Sequence, residues 1–176
     1  PTSILNKITH TSGSAPVLSY TVPDNAADQI DILASAKSSV AGDSYNQIPV
    51  DFKHILAAVQ FSVGSSGLPS GTISSITISG IKNSGVYTFG SGWTLNSGIT
   101  TFKVSPSTAI NGTSGENITT GINTFMMIPQ TFNNATITLT YNTGTAYTKT
   151  ISGTWSAGST YTYNLSKPVN IGDYYY

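Results

Sequence analysis

Cysteine and arginine are absent from this 176-residue chain, glutamate occurs once, histidine twice, and no apolar run reaches the length of a membrane-spanning helix. Without Cys there is no thiol catalysis, no thiolate zinc site and no iron–sulfur cluster. Seven lysines face six aspartates and the single glutamate, so the formal charge is zero and charged residues are only 8% of the chain. That balance removes the electrostatic footprint on which binding to nucleic acid or an anionic membrane surface depends, and neither is expected as a partner. The segment Pro1 to His10 also lacks the basic and apolar regions of a signal peptide.

What the chain does have is 51 Ser and Thr, 17 Gly and ten Tyr, with few of the straight-chain residues that favour helices. This is an all-β composition. A chain of this length buries about 70% of its extended surface, enough for one domain without covalent staples. The expected fold class is an antiparallel, Greek-key β-sandwich with little helix. Alternation marks strands at Val17 to Val22, Gln29 to Ala34, Thr72 to Ile81, Ile99 to Val104, Ala135 to Tyr141, Ala146 to Ile151 and Thr160 to Leu165. Gly85 to Phe89 and Trp93 to Leu95, joined by Gly90-Ser91-Gly92, form a hairpin, and Asn142-Thr143-Gly144 makes another turn. The run Ile48 to Val63 fits a strand, although Phe52, Ile55, Leu56 and Val59 also fit a helical turn. Ser74-Ser75 interrupts the alternation of its strand, which predicts a β-bulge. Phe125 to Ile128 is continuously apolar, the mark of a central strand buried on both faces. Ser105 to Asn123 is the expected mobile loop. Turn signals every 8–12 residues indicate about ten short strands.

Chemistry needs convergent acid, base or ligand groups, and few are available. His54 and Asp51 fall on opposite faces of a strand, so they do not share a metal, and His54 is expected on the inner side of the sandwich, bonded to backbone. Asp24, Asp28 and Asp31 lack the Gly and closing Glu of a calcium loop and read as solvated carboxylates. His10 and Glu116 stand alone in the sequence. No Gly-rich phosphate loop and no Gly-x-Ser-x-Gly elbow occurs. Accordingly no catalytic, cofactor-binding or metal residue is assigned, no cofactor is expected, and the chain is not expected to be an enzyme. Trp93 and Trp155, with Tyr141, Tyr147, Tyr161 and Tyr163, are the residues able to stack on a ligand, although packing explains most of them.

The order of the segments Gln29-Ile30-Asp31-Ile32-Leu33-Ala34-Ser35-Ala36, Val50 to Phe61 and Ile76 to Ile81 with Gly85-Val86-Tyr87 resembles the amino-terminal domain of the fimbrillin-like family of Bacteroidetes. Phe125 to Gln130, Ile137 to Tyr141 and Trp155 to Leu165 carry the resemblance onward. It implies a transthyretin-like sandwich exported as a lipoprotein to the outer membrane and displayed as a pilus subunit or adhesin. Its partners would be other pilus subunits, joined by donor-strand exchange, and a surface receptor or glycan. A membrane would be met only through a lipid anchor outside this chain. The alternative is a carbohydrate-binding surface lipoprotein that does not polymerise. A single domain is expected over residues 1–170, with residues 171–176, including Tyr174-Tyr175-Tyr176, starting a linker to a further region. Arginine-directed maturation would act outside the chain.

Three structural expectations follow. Phe52, Ile55, Val59, Phe61, Ile76, Ile78, Phe125, Ile128, Ile137, Leu139, Trp155, Tyr161 and Leu165 should be buried. Assembly should run through sheet edges and be insensitive to salt, because so few charges are present to steer it. Pro1 to Tyr20 should form a replaceable edge strand covering an apolar groove.

Overall fold

The computed structural model describes residues 7–36, 42 and 47–167, so Pro1 to Asn6 and the proposed linker at 171–176 lie outside the described residues. Fourteen strands and two short 3-10 turns make up the regular structure there. The strands are β1 (Ile8–Thr9), β2 (Val17–Thr21), β3 (Leu33–Ala34), β4 (Lys53–His54), β5 (Ala57–Val63), β6 (Gly71–Lys82) and β7 (Ser84–Thr88). They continue with β8 (Gly92–Leu95), β9 (Ile99–Val104), β10 (Thr108–Ile110), β11 (Phe125–Met127), β12 (Gln130–Tyr141), β13 (Ala146–Trp155) and β14 (Thr160–Leu165).

The largest sheet is built on the two longest strands, β6 and β12, paired antiparallel. On its far side β12 carries β13, while the other side of β6 is shared by β10 at one end and β9 at the other. A second sheet, β11-β5-β14, lies over it, with β11 antiparallel and β14 parallel to β5. The core fills the space between: Ile73, Ile76, Ile78 and Ile81 from β6, Ile137 and Leu139 from β12, and Val59, Phe61 and Val63 from β5 are all buried. Phe125 bridges the layers, 6.1 Å centre to centre from Phe61 on β5 and 6.4 Å from Phe102 on β9. Such edge-on ring contacts favour one arrangement of the two sheets. The expected β-sandwich is therefore present.

Buried positions on β6 are spaced three, two and three residues apart, which no regular strand permits. Two insertions explain this. Thr140 pairs with Ser75 and Tyr141 with Ile73, so Ser74 is unpaired, as the sequence predicted. Its hydroxyl donates to the Thr140 carbonyl at 3.0 Å. A second insertion at Gly80, with φ of +81°, separates Ser79 from Ile81 and restores the isoleucine to the core.

Beyond Asn83 the chain passes directly from β6 into β7 and a second layer edge, the sheet β1-β2-β7-β8. Here β2 lies inside the sheet, between β1 and β7, with Leu18, Tyr20 and Val22 buried. Within the described part of this segment only β1 is at an outer edge, so the expectation that the whole segment to Tyr20 is an edge strand is corrected.

Other expectations are also corrected. Phe125 to Met127 has a strand partner on one side only, and β5 is the central strand of that sheet. The free edge of β11 is satisfied by a side chain: the Met126 amide donates to Gln29 Oε1 at 2.6 Å, and Gln29 Nε2 donates to the Pro23 carbonyl. From Gln29 to Ala34 only the last two residues form a strand, and no helical turn forms between Lys53 and Ala58. Phe52 is 64% exposed, because residues 47–52 run outside every described sheet before the chain enters β4. Tyr161 is only half-buried. The expected mobile loop contains β10 and buries Ile110, Ile118 and Thr119. Its tip is organised by Glu116, whose carboxylate accepts from the amides of Asn111, Gly112 and Thr113.

Candidate functional site

Among the described residues no three His, Asp or Glu side chains gather at a position able to hold a metal. Glu116 is occupied in bracing its own loop, and Asp24 accepts from Thr100 Oγ1 at 3.2 Å while its carbonyl receives the Lys103 amide. His54 is not on the inner face. The short pairing of β3 with β4 sets Leu33 opposite His54, and the imidazole projects into solvent, where Nδ1 lies 2.6 Å from Asp31 Oδ2. A neutral ring donates from Nδ1 to the carboxylate and keeps Nε2 as a free acceptor. Asp31 is thus a histidine partner and not an isolated solvated group. The two residues are 23 positions apart in sequence. No local pattern signals their meeting, which depends on the β3–β4 register.

The two tryptophans have separate fates. Trp155 is 1% exposed, stacked obliquely on Phe132 at 4.6 Å, and its Nε1 donates to the Tyr163 hydroxyl at 3.0 Å. It is core and offers nothing to a ligand. Trp93 is half-buried at the start of β8, beside the glycine turn that lets β7 and β8 reverse direction. Its Nε1 donates to the Ile55 carbonyl at 2.7 Å, and its ring lies 5.4 Å from that of Tyr87 and 6.5 Å from that of Tyr20. These contacts fix the indole.

Trp93 and Tyr87 form part of the wall of an open cleft of about 630 Å³ that also takes in Asp51, Lys53, His54 and Ser91. The cleft combines an aromatic surface with exposed groups of both charges. Of its residues, the sequence singled out Trp93 as a stacking candidate. Tyr87 sits opposite Trp93 in the predicted hairpin, whereas the segment from Asp51 to His54 was hidden because its approach to that hairpin leaves no local pattern.

A second feature is a smaller groove, about 380 Å³, where the edge of β13 stands apart from the edge of β14. Ile137, Leu139, Leu68 and Leu165 supply its apolar lining, with Tyr147 and Lys149 at the rim. Among the described residues β13 pairs only with β12 and β14 only with β5, so each has one strand edge without a ladder partner. No described helix is long and apolar enough to cross a membrane.

Comparison with known proteins gives two consistent results. The sequence profile of the family described as fimbrillin-like matches residues 6–171. The fold matches a crystal structure of a candidate cell adhesion protein from Bacteroides uniformis at a TM-score of 0.60 and 18% identity, over 90% of this chain and 63% of that one. A candidate cell adhesion protein from Bacteroides ovatus matches at a TM-score of 0.61 and 18% identity, over 90% of this chain and 59% of that one. At that identity the likeness is one of fold, and the chain spans about three fifths of the length of either structure. No curated protein matches the sequence.

Proposed function

Because this chain belongs to the fimbrillin-like family, we propose that it is a non-enzymatic fimbrial subunit or adhesin domain, displayed at the cell surface and joined to its neighbours by strand exchange. The observation that carries the reading is the family match along almost the whole chain, set on an all-β sandwich. Strand exchange is physically suited to this fold. Main-chain hydrogen bonds along a strand supply affinity, and alternate side chains dropping into pockets supply register.

The β1–β2 hairpin is the element best placed to be exchanged. It is held by the antiparallel ladder from Val17 to Thr21 against Ser84 to Thr88, and by Leu18 and Tyr20 seated in the core. Its departure would leave the β7 edge bare and two apolar pockets open, the complement of an incoming strand. Attachment through a lipid anchor on a longer product belongs to the same proposal. Antibody raised against the folded domain should label intact, unpermeabilised cells that produce it. Labelling confined to permeabilised cells would contradict the surface assignment.

A further inference from the structure

We propose that the cleft beside Trp93 is a binding site for a neutral saccharide. The inference rests on the reading of the chain as a surface adhesin and names the ligand class that one of its surfaces fits.

The cleft, at about 630 Å³, falls within the range of small-ligand sites, roughly 300–1,000 Å³. Its aromatic wall is held before any ligand arrives. The Trp93 indole is tied to the Ile55 carbonyl and wedged between Tyr20 and Tyr87, so little side-chain freedom remains to be lost on binding. Amphipathic rings of this kind meet a ligand that has both an apolar face and polar edges.

The polar part of the lining presents both hydrogen-bonding roles. Asp51 accepts, Lys53 donates, and Ser91 does both. His54 is oriented by Asp31 at 2.6 Å, which leaves Nε2 as its remaining hydrogen-bonding atom. A pyranose has apolar C–H faces for the aromatic wall and hydroxyls that donate and accept in turn. A wholly apolar ligand would strip water from Asp51, Lys53 and His54 and return no hydrogen bonds, at a cost. The Asp51 carboxylate and the Lys53 ammonium balance one another in the lining, so neither an anionic nor a cationic ligand finds a net opposite charge there. The chemistry left is that of an uncharged sugar.

The test uses the intact chain on an array of neutral, sialylated and sulfated glycans, followed by titration of the best neutral glycan against Trp fluorescence. Binding to at least one neutral glycan is expected, with sialylated and sulfated forms no better. Asp51→Ala and Lys53→Ala, at exposed positions that carry no packing, should each weaken it tenfold or more. Trp93→Phe should weaken it and abolish the fluorescence change. Absence of neutral-glycan binding by the folded chain overturns the proposal, as does a preference for anionic glycans or an affinity unmoved by Asp51→Ala. Surface labelling of cells that persists while glycan binding is absent fails the cleft and spares the adhesin reading. Glycan binding without surface labelling does the converse.

Discussion

Leu139 and Phe52 mark the two limits of what a large apolar side chain does in this molecule. Leu139 is buried between the sheets at the β12–β6 pairing with Ile76, so Leu139→Ala should cost about 2–5 kcal/mol through lost burial and the cavity left behind. Phe52 stands in solvent, and Phe52→Ser should move the denaturation midpoint by less than about 0.5 kcal/mol equivalent. Chemical denaturation of both variants checks the assignment, and an equal loss in the two would contradict it. Tyrosine hydroxyls give a pH signature. Burial pushes Tyr20, Tyr141 and Tyr163 above the ordinary value, with Tyr147 adding to the rise at Tyr141 and the Trp155 hydrogen bond opposing it at Tyr163. Hydrogen bonds with Ser156 hold the half-buried Tyr161 below it. For the three raised groups the folded state keeps protons that the unfolded chain releases near pH ~10. Their contribution is therefore complete below about pH 10 and disappears as pH rises through the folded values. Denaturant midpoints should fall beyond that point, and Tyr20→Phe should lessen the fall. A midpoint independent of pH across that range would contradict the burial of these hydroxyls.

Side-chain hydrogen bonds tie strands together beside the ladders. Gln130, buried at the start of β12, accepts the Lys82 amide on Oε1 at 3.0 Å and donates from Nε2 to the carbonyls of Lys82 and Ile128. It closes the point where β6 leaves one sheet for another. Gln130→Met keeps the volume but orphans these backbone groups, at about 1–3 kcal/mol for each that water fails to reach. A clear loss of thermal stability is expected, and a midpoint equal to that of the parent would show the staple to be idle. The alternating segments from Ala135 to Tyr141 and from Thr160 to Leu165, the Ser74 bulge and the Gly90-Ser91-Gly92 reversal were legible in sequence because each depends on local periodicity or turn chemistry. The edge position of β11 was not. An apolar run says that both faces are covered but not how many strands pair with it, and here the unpaired edge is met by the Gln29 side chain, 97 residues away. Distance in sequence likewise hid the His54–Asp31 pair and the part of the Trp93 cleft that lies outside the β7–β8 hairpin. They are products of which short strands meet, and strand register between β3 and β4 leaves no trace in either segment alone.

Two facing sheets and an attached four-stranded layer give the molecule a continuous core, and they also leave strand edges at β1, β8, β10, β13 and β14 among the described residues. With 8% charged residues there is little electrostatic protection at those edges, and association should depend weakly on salt. The central claim is that the β1–β2 hairpin occupies a site that another strand can take. It is tested most directly by placing a specific protease site at Pro23, cutting after folding, and stripping away the segment up to Val22. Size-exclusion chromatography then follows the remainder with and without an added peptide spanning Pro1 to Tyr20. The stripped domain is expected to oligomerise with intact chains, and the peptide to bind it and suppress the oligomers. A well-folded monomer that neither associates nor takes up the peptide would contradict it.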